Sequence, residues 1–371
     1  MKILFWSEYF LPNIGGVEVF SAHLVSALRA LGHEIVIVSS RRDLKHPDEI
    51  RHGDVPVFRF PFQALLTSQN YRQILSARER IAELRRMFQP DVVHLNTVGP
   101  SLFFYAHTTS AFPAPTVVTI HGLPDRFAPQ FSLLQRVLTS ARWVVAVSRA
   151  MLDDTRAIEP TINSRSSIIY NSLQISTITP LPLDFDAPRV LGLGRLIREK
   201  GFDLAIRAFP HVLDRFPAAQ LCIAGEGPEK LSLAALAREA GIERAVKFTG
   251  RIEPDDVPAL INESSLVVMP SWYEPFGLVA LQAAQMGRPV VATRLRGLDE
   301  VVLEGKTGLL FDPRNSTALA EALEWLLAHP AEAQRMGQAA RRHARGTFQW
   351  KRHVAAYDAL YQRLHKRARR A

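Results

Sequence analysis

A carboxylate framed by prolines and glycines marks the stretch between Met269 and Thr293 as a candidate ligand site. The run Leu266-Val267-Val268-Met269 is short and apolar, as a buried parallel strand should be. Pro270 and Pro275 bracket a loop carrying Glu274; a helix follows from Gly277 to a stop at Gly287, then a strand at 289–292. A carboxylate at a strand's C-terminal end, beside a helix N-terminus, lies where open α/β sheets bind ligands. A second candidate is Gly192-Leu193-Gly194-Arg195-Leu196-Ile197-Arg198-Glu199-Lys200-Gly201, which follows another apolar run. Arg195 is permanently charged, and with Lys200 five residues on it could hold two linked phosphates. The loop is half of a dinucleotide fingerprint, since Ile197 stands where the third glycine would be.

Weaker candidates occupy similar positions. Leu11-Pro12-Asn13-Ile14-Gly15-Gly16 joins the first strand and helix; Gly15 and Gly16 would let backbone approach an anion, although a glycine pair alone reads more simply as a turn. Gly225-Glu226-Gly227-Pro228 either lines the same cleft or only turns the chain. Gly250-Arg251-Ile252 offers backbone against which a flat base could lie. His121 ends an apolar run; a lone histidine is more often structural, but the end of a strand is a functional position. Asp184-Phe185-Asp186 matches a D-x-D pattern but lies away from any strand end, so we reject it as a metal site. No His, Cys, Asp or Glu cluster has metal-ligand spacing, and neither G-x-S-x-G nor G-x-x-x-x-G-K-[ST] occurs.

The elements that must position these residues alternate strand and helix. In the first half, strands are expected at 2–5, 34–38, 57–60, 91–95, 116–120, 142–147 and 167–170. Helices are expected at 16–31, 71–88, 101–108 and 150–157. Residues 173–188 lose all periodicity and read as a linker. The alternation then restarts, with strands at 190–193, 220–224, 246–249, 266–269 and 289–292. Helices are expected at 202–216, 229–240, 255–262, 277–287, 317–328 and 331–344, and a last amphipathic helix at 350–364. Such alternation implies parallel sheets with helices on both faces. The expected architecture is α/β, with two Rossmann-like domains whose sheets face across a deep cleft. The expected boundaries are 1–182, 183–349, and a helix with basic tail at 350–371 packing back on the first domain.

A chain of 371 residues exceeds a single ordinary core, and 47% hydrophobic with 22% charged residues is ordinary for soluble globular proteins. The single Cys222, in an apolar run, makes neither an internal disulfide nor a zinc site. The N-terminus turns polar too soon for a signal peptide, and no run approaches the roughly 18 apolar residues of a membrane span. The net charge of +9 is uneven: residues 346–371 hold seven Lys and Arg against one acidic residue, and residues 41–88 hold ten against six. These basic regions, including Arg72, Arg78, Arg80, Arg85 and Arg86, could meet an anionic membrane surface or a phosphorylated substrate, or be plain solvated charge. No nucleic-acid reading module is present, and no nucleic-acid partner is expected. The expected location is cytoplasmic, or peripheral on the inner face of the membrane.

Taken in order, Pro12-Asn13-Ile14-Gly15-Gly16-Val17-Glu18, Gly194-Arg195-Leu196 with Lys200-Gly201, Gly225-Glu226-Gly227-Pro228 and Glu274-Pro275-Phe276-Gly277-Leu278 resemble the retaining glycosyltransferases of family 4. The likeness runs over essentially the whole chain and implies the GT-B fold. It implies no metal cofactor, and transfer of a hexosyl unit from a nucleotide-diphosphate sugar, such as a UDP- or GDP-hexose, to a hydroxyl acceptor. The acceptor is expected to be a glycan, a lipid-linked or a small hydroxyl molecule, in polysaccharide, glycolipid or cell-envelope glycan synthesis. By resemblance Arg195 and Lys200 neutralise the departing diphosphate, Gly15 and Gly16 approach it, and Glu274 contacts donor-sugar hydroxyls. Backbone at Phe276, Gly277 and Leu278 holds sugar and phosphate, and His121 contacts the sugar near the reacting centre. Glu226, Arg251 and Ile252 complete the donor site. One position departs from the family's E-x7-E pattern: Gln282 stands where the second glutamate would bind the ribose. Its amide can still accept and donate, but the charge is gone. The alternatives are another GT-B enzyme, an epimerase or phosphorylase, and a catalytically impaired binder of nucleotide sugars.

Overall fold

The structure, a computed structural model, describes residues 1–13, 15–41, 48–68, 70–96, 99–124, 128 and 130–368. Ile14 of the first glycine loop and Arg369 and Arg370 of the tail lie outside the described residues. Contacts divide the chain into unit 1, Met1–Tyr170 with Lys351–Ala371, and unit 2, Asn171–Trp350.

Unit 1 runs β1 (Lys2–Ser7), α1 (Gly16–Ala30), β2 (Glu34–Ser40), β3 (Glu49–His52), β4 (Val55–Phe60), α2 (Phe62–Ser68), α3 (Tyr71–Phe88), β5 (Val92–Leu95), α4 (Ser101–Ala106), β6 (Thr116–Ile120), α5 (Gln130–Ser140), β7 (Trp143–Ala146), α6 (Arg149–Ile158) and β8 (Ser166–Ile168). Its eight strands lie in the order β3-β4-β2-β1-β5-β6-β7-β8. All neighbours are parallel except β3 with β4. The central strands read Val- and Ile-rich because helices cover both faces and bury almost every side chain. β3, α2 and α5 are not among the expected elements. β3 reads Glu-Ile-Arg-His and alternates exposed with half-buried residues, so it forms a polar sheet edge without an apolar run to announce it.

Unit 2 runs β9 (Arg189–Leu193), α7 (Phe202–Arg215), β10 (Gln220–Ala224), α8 (Lys230–Glu239), β11 (Val246–Gly250), α9 (Val257–Asn262), β12 (Leu266–Met269), α10 (Leu278–Gln285), β13 (Val290–Thr293), β14 (Gly308–Phe311), α11 (Ser316–Ala328) and α12 (Pro330–Thr347). Its all-parallel sheet has the order β11-β10-β9-β12-β13-β14. The unexpected strand is β14, four residues long; a Cβ on its Gly308 would sit 2.3 Å from the Val290 carbonyl oxygen.

The boundary expected at 182/183 falls instead at 170/171, and residues 173–188 are not a free linker. Leu181 N–H donates to Asn262 Oδ1 at 2.9 Å, Asn262 returns a bond to the Thr179 carbonyl, and buried Arg288 donates to the Leu181 carbonyl at 2.8 Å. The segment lacks periodicity because side chains from α9 and the α10–β13 turn satisfy its backbone in place of its own hydrogen bonds. Asp184 closes an Asx-type turn, accepting from the backbone of Asp186 and Ala187.

The closing helix, α13 (Trp350–Ala368), belongs from Lys351 onward to unit 1. It buries His353, Val354, Tyr357, Leu360, Tyr361 and Leu364, one helical stripe. Tyr361 hydroxyl and His94 Nδ1 are 2.7 Å apart, and Tyr357 and Thr119 hydroxyls 2.9 Å. Asp358 meets His33 at 2.8 Å, and His353 Nδ1 lies 2.7 Å from the Tyr170 carbonyl. Burial lowers the pKa of His94 to about 3, helped by His121 and His353, and that of His353 to about 4 against the hydrogen bond to Tyr170. Both pKa values are depressed below the ordinary 6.5, so the unfolded chain binds more protons in the interval between. The stability they contribute is complete above pH 6.5 and falls as pH drops toward about 4. Urea unfolding midpoints should therefore decline between pH 7 and pH 5, and His94→Gln should flatten the decline. A flat profile in the wild-type chain would contradict neutral burial of these rings.

Candidate functional site

Strand order creates the candidate site of unit 2. β9 and β12 are neighbours at the point where the order reverses, so the loops after them diverge and open a crevice at the sheet's C-terminal edge. These are the loops that carry Lys200 and Glu274. Though 74 residues apart, Lys200 Nζ lies 2.6 Å from Glu274 Oε2. The side chains are 24% and 12% exposed, so the pair is shielded from the screening that weakens surface ion pairs. The other carboxylate oxygen, Oε1, accepts the Gly277 N–H at 3.2 Å. Gly277 caps α10 with φ 101°, and a Cβ there would lie 2.5 Å from Leu298, so glycine is required on two counts.

Backbone contacts fix the two loops to each other. Trp272 N–H donates to the Glu199 carbonyl at 2.8 Å, and Gly201, at φ 65°, is so close that a Cβ would sit 2.0 Å from the Pro270 oxygen. The Gly225 turn supports the first loop from the other side. Gly194 N–H donates to the Ala224 carbonyl, Leu196 N–H to that of Glu226, and Glu229 N–H back to Leu196. A Cβ on Gly225 would lie 1.8 Å from the Gly194 oxygen. Its tight packing therefore accounts for this glycine. The Glu226 side chain pairs with Lys230 at 2.9 Å, and Arg251 pairs with Glu253 at 3.2 Å, both at the surface. Ile252 is half-buried. None of these three hydrogen-bonds Lys200 or Glu274.

Arg195 is exposed, and its guanidinium makes no hydrogen bond or ion pair among the described residues. The Phe276 ring is buried edge-on to Phe348 at 5.4 Å, which leaves only its backbone for a ligand. Leu278 is the first residue of α10. Gln282, one turn on, is half-buried, and its amide makes no hydrogen bond among the described residues. A free amide can bind a ribose hydroxyl, so Gln282→Glu should give equal or higher transfer rates; a large loss of rate would mean that this position serves packing rather than ribose.

In unit 1, Gly15 precedes α1 in an extended conformation and exposed Gly16 begins the helix. His121 follows β6, with Nε2 3.1 Å from Asn96 Oδ1. Asn96 Nδ2 donates to Ser21 Oγ at 2.7 Å, and Ser21 donates to the Val17 carbonyl at 2.6 Å. That carbonyl can only accept, so Ser21 must donate to it and accept from Asn96. The Asn96 oxygen then faces His121, whose Nε2 carries the proton. Its Nδ1 is a buried lone pair with no hydrogen-bond partner among the described residues. Burial, with His353 nearby, lowers the ring's pKa to about 3 and keeps it neutral near pH 7. Asn96 and Ser21 were not among the sequence candidates; the one available signal was that Asn96 directly follows an apolar run. Among the described residues no group of three or more His, Cys, Asp or Glu could hold a metal ion.

The architecture and these strand-end loops define a GT-B glycosyltransferase. Residues 14–177 match the family model for Glycosyltransferase Family 4, and residues 178–343 that for Glycosyl transferases group 1. A glycogen synthase of Mycobacterium tuberculosis is 32% identical over 398 residues, covering 97% of this chain and 94% of that protein. A GDP-mannose-dependent phosphatidylinositol monomannoside mannosyltransferase of Mycolicibacterium smegmatis is 38% identical over 173 residues, 45% of each chain. A solved sucrose-phosphate synthase of Thermosynechococcus elongatus superposes with a TM-score of 0.86 at 23% identity over 98% of both chains. Anabaena HepE, solved with UDP and glucose, superposes with a TM-score of 0.79 at 22% identity over 98% of this chain and 100% of that one. The chain belongs to glycosyltransferase family 4, and it is a glycosyltransferase.

Proposed function

We propose that the enzyme transfers a hexosyl unit, with retention, from a UDP- or GDP-hexose to a hydroxyl acceptor in polysaccharide, glycolipid or cell-envelope glycan synthesis. The observation that carries the reading is the Lys200–Glu274 contact at the switch point of unit 2, which brings a cation and a carboxylate to one crevice. In this reading Arg195 and Lys200 face the diphosphate, Glu274 the sugar hydroxyls, and Gln282 the ribose. Backbone at Phe276, Gly277 and Leu278 lines the sugar. Glu226, Arg251 and Ile252 keep donor-side roles. In unit 1, Gly15 and Gly16 offer backbone to phosphate and His121 a contact to sugar.

As the anomeric carbon–oxygen bond breaks, charge moves onto the diphosphate. Arg195 and Lys200 then bind it more strongly than in the ground state, which lowers the barrier. The acceptor hydroxyl attacks from the leaving-group face, and its proton passes to a diphosphate oxygen. Peripheral attachment to an anionic membrane is compatible with α3, where Tyr71, Arg72 and Leu75 are exposed. Its Arg85, by contrast, is buried over Tyr105 and is removed from any basic surface.

Thermal unfolding with UDP-, GDP- and ADP-hexoses tests the donor. A donor at about 100 times its Kd adds about 2.7 kcal/mol to the native state. If none of the series shifts the midpoint, the donor assignment fails.

A further inference from the structure

We propose that unit 2 carries a second anion site, for a small phosphate monoester, formed by Arg198, Arg207 and Arg314 around Trp272. These residues, with Asp203, Leu204 and Ser316, line a depression of about 390 Å³, large enough for a sugar phosphate. Neither Arg195, Lys200 nor Glu274 lines it, so it is separate from the crevice assigned to the donor.

Three features set it apart from ordinary surface charge. First, the cations are placed. The guanidiniums of Arg198 and Arg314 lie over the Trp272 ring, 5.1 and 5.0 Å from its centroid. An aromatic face restrains a flexible arginine without consuming its N–H donors. Second, Arg314 holds φ 61°, a left-handed conformation uncommon for any residue but glycine. Third, the cations lack carboxylates. None of the three arginines makes an ion pair among the described residues, although surface arginines elsewhere in this unit do, as at Arg215–Glu324 and Arg189–Glu263. Asp203 is the one acidic residue lining the depression, and it pairs with none of them. Stacking on Trp272 would account for Arg198 and Arg314 but not for Arg207.

Three guanidiniums and one carboxylate leave two net positive charges. A phosphate monoester carries about −1.5 to −2 near pH 7 and presents three free oxygens to forked donors. A diester or a carboxylate offers only two such oxygens and one charge. The site adjoins the reaction machinery in sequence: Arg198 stands two residues before Lys200, and Trp272 two before Glu274. The Trp272–Glu199 backbone bond ties those segments together. A ligand here would therefore contact both loops that present the proposed donor-binding pair.

The test is isothermal titration of the full chain with inorganic phosphate, a hexose 6-phosphate and the methyl diester of that hexose phosphate. The chain is compared with Arg207→Gln/Arg314→Gln and, separately, Arg195→Ala. The monoester should bind the wild-type chain and Arg195→Ala alike. Its affinity should fall by about tenfold or more in the double variant, and the diester should be weaker by about tenfold. Arg207 and Arg314 are exposed and make no ion pair among the described residues, and only the Arg314–Trp272 stacking is lost, so the double variant should unfold close to the wild-type temperature. No binding to the wild-type chain, or equal binding to the double variant, overturns the proposal. Binding lost only in Arg195→Ala would place the anion in the donor crevice and also overturn it, while leaving the donor assignment intact.

Discussion

Glu274→Ala should lower sugar transfer by about 10²- to 10³-fold, the range seen when one preorganised polar group is removed from an active site. The carboxylate holds Lys200 through one oxygen and the Gly277 N–H through the other. Alanine therefore removes the proposed sugar contact and releases the cation proposed to meet the diphosphate. It also leaves a half-shielded ammonium without its partner, a stability cost of about 1–3 kcal/mol. Glu274→Gln separates the effects. Its amide oxygen can still accept from Gly277, so the loop should keep its shape, but the charge orienting Lys200 is lost. Turnover should fall in both variants, and the unfolding temperature should fall less in the glutamine variant, which keeps the Gly277 bond but turns its NH2 toward Lys200. Radiolabelled transfer beside thermal unfolding reads both quantities. Wild-type transfer in the alanine variant would remove Glu274 from the mechanism.

Arg195→Ala should weaken both the nucleotide sugar and the free nucleoside diphosphate, by about 10- to 100-fold, the loss of one or two charge-assisted hydrogen bonds. Because Arg195 is exposed and unpaired among the described residues, its removal should leave the fold intact. Calorimetric titration with UDP and GDP gives the number directly. Lys200→Ala is the harder comparison, since it strands the Glu274 carboxylate as well as removing a cation proposed to meet the phosphate. An unchanged diphosphate affinity in Arg195→Ala would show that the phosphate lies elsewhere.

Part of the candidate site is legible in the sequence. Glu274 and Lys200 stand at the ends of apolar runs, and strand ends are where parallel sheets bind ligands. Other roles were not legible. Gly225-Glu226-Gly227 could be read equally as ligand lining or as a turn; a Cβ on Gly225 would collide with the Gly194 carbonyl, which favours packing between residues 31 apart in sequence. Residues 173–188 looked like a linker because their order comes from Asn262 and Arg288 rather than from their own pattern. Arg85 looked like one charge in a basic helix, yet it is buried and donates to the Phe112 carbonyl.

The alternation of strand and helix, the loops rich in glycine and charge, and the family they spell are all written in the amino-acid order. Those signals are local, since the period-two and 3.6-residue patterns and the turn glycines act within about 20 residues. That β12 lies beside β9, and hence that Lys200 and Glu274 touch, emerges only from the folded chain. So does the setting of the His121 tautomer by Asn96 and Ser21. Strand order and buried side-chain chains depend on crossovers and packing between distant segments. No short window of sequence carries that information.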